Sequence, residues 1–265
     1  MKTILILAAN PKETTKLRLD EEVREIDAVL RQAGRRDEFE LKQHWAVRPR
    51  DVQQAMLDYN PAIVHFSGHG AGEAGLAFED ETGQIKLVDS EALAGLFKLF
   101  ASKVECVILN ACYSEVQAEA IARYISYVIG MNQPIGDKAA IEFAVGFYRA
   151  LGAGRSYPDA FEFGCNGIEL AGIAEYQTPV LKQNPNLAES TPRVKPKTIS
   201  VLEEQLTELR EEYDACNEEV KAFKKSLITD DLTPKQRIKL KRQIQEAEAQ
   251  REEIAGRIEN LECRM

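Results

Sequence analysis

Two side chains in this chain have the types and settings that thiol chemistry requires. His69 lies near the end of the string AIVHFSGHG, residues 62–70, and Cys112 lies in VECVILNACYS, residues 104–114. Each string is an apolar run that closes in small or polar residues, the pattern of a buried strand running into a loop. In an open parallel sheet the C-terminal strand ends gather along one edge, where ligands bind. Two such strands bring an imidazole and a thiol to that edge, the minimum apparatus for nucleophilic thiol catalysis. The thiolate is the reactive form, and a neighbouring imidazole generates it by drawing the proton. Polar Tyr113 and Ser114 follow Cys112 ahead of an expected helix, whose N-terminal dipole also favours an anion.

The other thiols and imidazoles lack this setting. Cys106 lies within the apolar strand and reads as core, while Cys165, Cys216 and Cys263 have no base in view. His65 sits inside its strand between Val64 and Phe66, where it packs or hydrogen-bonds in support of the site. His44 has no motif around it. A free cysteine is usually a small buried apolar residue, so position alone leaves Cys112 open between nucleophile and core.

The elements around the pair alternate between strand and helix. Residues 3–9 read as a buried strand broken by Asn10-Pro11. Leu19, Val23, Ile26 and Leu30 recur at helical spacing, with Gly34 as a stop. Residues 39–47 predict a second strand, Pro49 starts a short helix, and 62–67 form the third strand. Residues 68–75 read as a Gly-rich loop, GLAFED and QIKLV as a hairpin. A helix over 90–101, a strand over 104–109, a helix over 115–124 and a strand over 126–131 follow. Two more helices are expected, one opened by Asp137 and one over 157–172. This alternation argues for an α/β fold with a mostly parallel sheet flanked by helices.

Residues 182–198, rich in Pro and polar residues, read as a linker, with 179–181 still able to join the sheet. From Leu202 to Leu227 and from Leu240 to Leu261, apolar residues alternate spacings of four and three, with Arg251 the one break. Such heptads predict an antiparallel coiled-coil hairpin over 199–265. Thr233, Pro234 and Gln236 supply a cap, a first helical residue and a capping box for its second helix. The charges are segregated: residues 203–219 hold eight acids against Arg210 alone, whereas lysines and arginines crowd 221–225 and 235–242. Folding back sets like charges side by side. A partner hairpin packed in reverse, this chain's own or another protein's, would relieve that; a solvated hairpin resting on its own domain is the plainer alternative.

Composition narrows the classes. The chain has 265 residues, is 44% hydrophobic and 29% charged, and carries a net charge of −9, with a pI near 5.1. An acidic chain argues against nucleic acid as a partner. No run of about 18 apolar residues suggests a membrane span, and the opening MKTILILAANPKETT reads as a first strand, not a leader. Five widely spaced cysteines without CxxC disfavour a disulfide framework or a zinc site and fit a reducing cytoplasm. GxGxxG, P-loop, HEXXH and Gly-x-Ser-x-Gly signatures are absent, so neither a cofactor nor a metal is expected.

The His-Gly closing one strand and the Asn-Ala-Cys closing the next resemble caspase-like cysteine peptidases of the CHAT type. ILILAANP (4–11), LRLDEEVREI (17–26) and VIGMNQPIGDKAAIEFAVGFYRALGAG (128–154) strengthen the resemblance, which covers roughly residues 1–181. It implies a Cys-His dyad in which Cys112 attacks and His69, the histidine that precedes a glycine, moves the proton. It also implies an oxyanion hole from the backbone N–H groups of Gly70 and Cys112. Asp137 is a candidate for receiving a basic substrate side chain, with helix capping as its other reading; Glu79 and Asp80 are acids beside a hairpin turn.

The resemblance further implies a protein substrate, such as a pore-forming or other effector, in bacterial immune or cell-death signalling. Two alternatives stand beside the peptidase. One is a catalytically silent CHAT adaptor acting through its tail; the other is a TIR-like NAD hydrolase, which the opening ILILAAN would suit.

Overall fold

The computed structural model describes residues 1–188, 197–229 and 233–262. Most of the expected linker (189–196), the turn of the expected hairpin (230–232) and Cys263 lie outside the described residues. The chain divides into two compact units, Met1–Val194 and Lys195–Met265.

The first unit is built on a six-stranded sheet of order β2-β1-β3-β7-β8-β9. Its strands are β1 (Lys2–Ala8), β2 (Phe39–Trp45), β3 (Ile63–Ser67), β7 (Cys106–Asn110), β8 (Tyr127–Met131) and β9 (Pro179–Gln183). All neighbours pair in parallel except β9, which runs antiparallel along β8. The sheet therefore continues to Gln183, and a short helix α7 (Pro185–Ala188) follows within what reads in sequence as linker. Pro179 is tolerated there because it opens an edge strand.

Helices cover both faces, as a parallel sheet requires. Alternation along the strands sorts their side chains. Ile4, Ile6, Ile63, Cys106 and Ile108 pack with Val23, Ile26 and Leu30 of α1 (Leu19–Gln32) and with Phe143, Phe147 and Tyr148 of α5 (Asp137–Gly152). Leu5, Leu7, Val64, Phe66, Val107 and Leu109 pack on the opposite face. There they meet α2 (Pro49–Tyr59), α3 (Ser90–Leu99) and α4 (Glu115–Ala122). A further helix, α6 (Tyr157–Leu170), lies against α5.

The same alternation puts three polar residues on the α1/α5 face near the C-terminal strand ends: His65, Ser67 and Asn110, all buried. Ser67 and Asn110 are direct neighbours in the ladder.

One expectation changes. The Gly-rich segment after β3 is not a free loop. His69 and Gly70 form a short strand, β4 (His69–Gly70), which pairs antiparallel with β5 (Leu76–Glu79), itself paired with β6 (Ile85–Val88). The intervening turn closes through Ala71 N–H donating to the Gly75 carbonyl at 2.9 Å. Backbone pairing of 69–70 with 76–77 outweighs the freedom that the glycines allow.

The second unit consists of α8 (Lys197–Thr229) and α9 (Pro234–Glu262). Leu206, Leu209, Cys216 and Ile254 form their buried seam, with Tyr213 and Ile258 against it. The Cys216 thiol donates to the Ala247 carbonyl at 3.2 Å, and Lys224 pairs with Glu248 at 2.7 Å. Thr233 and Gln236 exchange capping bonds at the start of α9. Among the described residues no helix is long and apolar enough to cross a membrane.

Candidate active site

The register of β3 and β7 brings the candidate residues to one place. Ser67 lies beside Asn110, and Gly68 N–H donates to the Asn110 carbonyl at 3.3 Å. The chain then turns through β4, and Gly70 passes against the next residues of the neighbouring segment. A Cβ at Gly70 would collide with the Cys112 carbonyl oxygen and touch the Ala111 side chain. Glycine is required here by close backbone approach. The His69-Gly70 and Ala111-Cys112 segments thus touch directly.

Both segments are tied down. Gln117 of α4 donates to the Gly72 carbonyl at 2.8 Å and to Ser90 Oγ at 3.0 Å, holding the turn after β4. Beyond Cys112, Tyr113 takes a left-handed conformation with φ 54°, which for a non-glycine residue costs about 1–2 kcal/mol. This residue turns the chain out of β7 towards α4. Buried Ser114 fixes the turn, donating to the Leu109 carbonyl at 2.7 Å and accepting from Met131 N–H at 3.0 Å.

The imidazole of His69 is half-buried, and its Nε2 lies 2.9 Å from the Thr15 carbonyl oxygen. A carbonyl only accepts, so Nε2 carries the proton and Nδ1 keeps the lone pair. Burial pushes the pKa of His69 below its ordinary value; the bond to Thr15 and the negative charge of Asp137 pull it partly back up. The resting imidazole is therefore neutral at pH 7, with Nδ1 as its basic atom. The Cys112 thiol is half-buried and donates to the Ile135 carbonyl at 3.8 Å.

The other described cysteines are poor nucleophiles. Burial pushes the Cys106 thiol far up and that of Cys165 up to about 12, and Cys216 is closed within the α8/α9 seam.

Asp137 is not the N-cap of α5, and its carboxylate lies against Arg18. Gly136 occupies the N-cap of α5, and Asp137 is the first helical residue. Its carboxylate accepts from Arg18 N–H at 3.2 Å and pairs with the Arg18 guanidinium at 3.5 Å, close enough to influence His69. Glu79 accepts from Asn10 N–H at 3.1 Å. Asp80 closes the hairpin turn, and hydrogen bonds from Thr82 and Gln84 hold its pKa down. Among the described residues no group of three or more His, Cys, Asp or Glu converges as metal ligands would.

Sequence reasoning missed Thr15, Ser114 and Glu22. Glu22, from the first turn of α1, is buried, accepts from Asn110 Nδ2 at 2.6 Å and from Ser67 Oγ, and faces His65 at 3.0 Å. A signal for it existed. Position 22 falls on the same stripe as Leu19, Val23, Ile26 and Leu30, where a carboxylate needs partners. His65 lies beneath the site, as its place inside the strand suggests.

The imidazole and the thiol thus lie at the C-terminal edge of a mostly parallel α/β sheet. The profile of the CHAT domain family matches residues 2–162, more than half of the chain, which therefore belongs to that family. A Roc-COR-CHAT protease from an unknown prokaryotic organism is 29% identical over 157 residues, covering 57% of this chain and 15% of that protein. A probable protease of Gillisia limnaea is 26% identical over 153 residues, covering 57% of this chain and 27% of that protein. The chain thus spans less than a third of the length of either relative. The Drosophila initiator caspase Dronc superposes with a TM-score of 0.45 at 8% identity, over 68% of this chain and 79% of its own.

These electrostatics have a measurable consequence. With His69 as the base for Cys112, the rate of Cys112 alkylation is expected to fall as pH drops through the pKa of His69, because a protonated imidazole accepts no proton. That limb lies below pH 6.5, the ordinary histidine value. Asp137→Asn removes an anion that favours the charged imidazole, so the limb moves to still lower pH. An upward shift in Asp137→Asn, measured by iodoacetamide labelling and peptide mapping, contradicts this electrostatic reading.

Proposed function

We propose that this chain is a caspase-like cysteine endopeptidase acting on a protein substrate through Cys112 and His69. The observation that carries the proposal is the contact between His69-Gly70 and Ala111-Cys112. Alongside it, Nε2 of His69 is engaged by Thr15 and Nδ1 is left as the base.

In the proposed reaction Nδ1 takes the Cys112 proton as the sulfur attacks the substrate carbonyl. The N–H groups of Gly70 and Cys112 stabilise the resulting oxyanion. The intermediate collapses as the Nδ1 proton passes to the leaving amine, which leaves a thioester on Cys112. Water, deprotonated by Nδ1, attacks the thioester; the acid product departs and the thiol regains its proton. The bond from Nε2 to Thr15 orients the ring throughout.

The likeness to two proteins named as proteases supports hydrolysis of a protein. A cytoplasmic place and an effector role in bacterial immune or cell-death signalling, with a pore-forming or other effector as substrate, extend the same reading. The tail is proposed to join a helical partner or a second copy of itself.

Labelling with a peptidyl chloromethyl ketone panel tests the chemistry by intact mass. One adduct is expected on the wild type, absent in Cys112→Ala and formed at least ~10-fold more slowly in His69→Ala. A folded protein with no selective adduct returns the chain to the adaptor reading. For the tail, sedimentation across salt concentrations is decisive: an assembly held by its segregated charges weakens steeply as salt rises. A monomer at every ionic strength and no captured helical partner removes the tail from the proposal.

A further inference from the structure

The carboxylate of Glu22 touches no catalytic atom, yet it joins the segments that carry the site. It is 3% exposed, and the basic side chain that faces it is the His65 imidazole, not a lysine or arginine. One oxygen accepts from Ser67 Oγ; the other accepts from Asn110 Nδ2 at 2.6 Å. Ser67 and Asn110 are adjacent in the ladder. Each lies two residues before a candidate catalytic residue, His69 or Cys112, which is roughly 7 Å along a strand.

The third tie runs through the main chain. Glu22 sits in the first turn of α1, seven positions after Thr15, whose carbonyl holds His69 Nε2. Fixing the start of α1 on the sheet therefore fixes the loop that orients the imidazole. Asn110 Nδ2 also reaches the Ala140 carbonyl at 3.2 Å, bringing the start of α5 into the same assembly.

The buried surroundings make these ties specific. Tyr148 Oη lies 3.1 Å from His65 Nδ1, and burial raises the phenol pKa so that it keeps its proton. With the phenol donating to Nδ1, His65 carries its proton on Nε2, which faces Glu22 Oε1 at 3.0 Å off the hydrogen-bond axis. That arrangement sets a partial positive charge beside the carboxylate, and the dipole of the first turn of α1 adds to it. A carboxylate so deeply buried is tolerated only when its oxygens are satisfied, so its donors are held closely in place.

We propose that Glu22 is a positioning residue for the thiol–imidazole pair, clamping the ends of β3 and β7 and the loop bearing Thr15 into one register. The inference rests on the peptidase reading for its purpose. The alignment itself is read through the chemical reactivity of Cys112.

The experiment compares wild type, Glu22→Gln, Glu22→Leu and Ser67→Ala. Inactivation by a peptidyl chloromethyl ketone gives kinact and KI, undirected alkylation by iodoacetamide gives a second rate, and thermal melting reports folding. Glutamine accepts from Asn110 and donates to a rotated Ser67 hydroxyl, so Glu22→Gln loses no more than a few fold, roughly threefold. Leucine fills the space without holding either strand. In Glu22→Leu kinact is expected to fall by about 10–100-fold with KI unchanged, the signature of misalignment and not of lost binding. Ser67→Ala lies between.

A folded Glu22→Leu or Ser67→Ala with wild-type kinact overturns the clamp. If Glu22→Leu does not fold, Ser67→Ala decides alone. If the ketone labels nothing while iodoacetamide still reacts with Cys112, the peptidase reading has failed. The clamp then stands or falls on whether the iodoacetamide rate drops in the same variants.

Discussion

A carboxylate buried under the C-terminal edge of a parallel sheet is the constraint on which the rest of the site depends. Strands covered on both faces are normally apolar throughout, and most of this sheet obeys. Chemistry at a sheet edge, however, needs polar residues where the strands end. Period-two alternation then drives some of them inward. Ser67 and Asn110 are such residues, and His65 lies one step deeper on the same face. Glu22 gives the first two an acceptor and faces the imidazole of His65. In return they satisfy a charge that could not otherwise be removed from water. Removing Glu22 takes away the acceptor of the Ser67 hydroxyl and one of the two acceptors of Asn110 Nδ2, so the two strand ends lose their common tie.

Burial also sorts the thiols. Cys106 and Cys112 lie six residues apart around the same strand, yet one begins it within the core and the other lies just past its end. The first meets apolar side chains and keeps its proton far above neutral pH. The second lies half-exposed beside the His69-Gly70 strand. Position along the strand, rather than residue type, separates a structural cysteine from a candidate nucleophile.

Much of this arrangement is legible in the sequence because it follows local rules. Apolar runs ending in HG and NAC mark strand ends, and a four-three spacing marks the seam of α8 and α9. Every seam position from Leu206 to Ile258 whose side chain is described is buried or half-buried. What stays hidden depends on contacts between distant segments. Thr15 acts through its carbonyl, which every residue type possesses, so no side chain advertises it. Asp137 reads as a cap in sequence, but Gly136 takes that place and Arg18, 119 positions away, lies against its carboxylate. The short strand β4 depends on pairing with β5 across a glycine-rich turn, and composition suggests a loop there. Glu22 is the intermediate case: its place on an apolar helical stripe is visible, but its partners emerge only once β3 and β7 stand side by side.

The most direct test of the account is a crystal structure of the protein carrying a covalently bound peptidyl ketone at neutral pH. The account predicts a bond from Cys112 Sγ to the ketone carbon and an oxyanion facing the N–H groups of Gly70 and Cys112. It also predicts His69 Nε2 still on the Thr15 carbonyl, with Nδ1 turned towards the adduct. An adduct on another cysteine, or one on Cys112 with its oxyanion directed into solvent and Nε2 freed from Thr15, would contradict it.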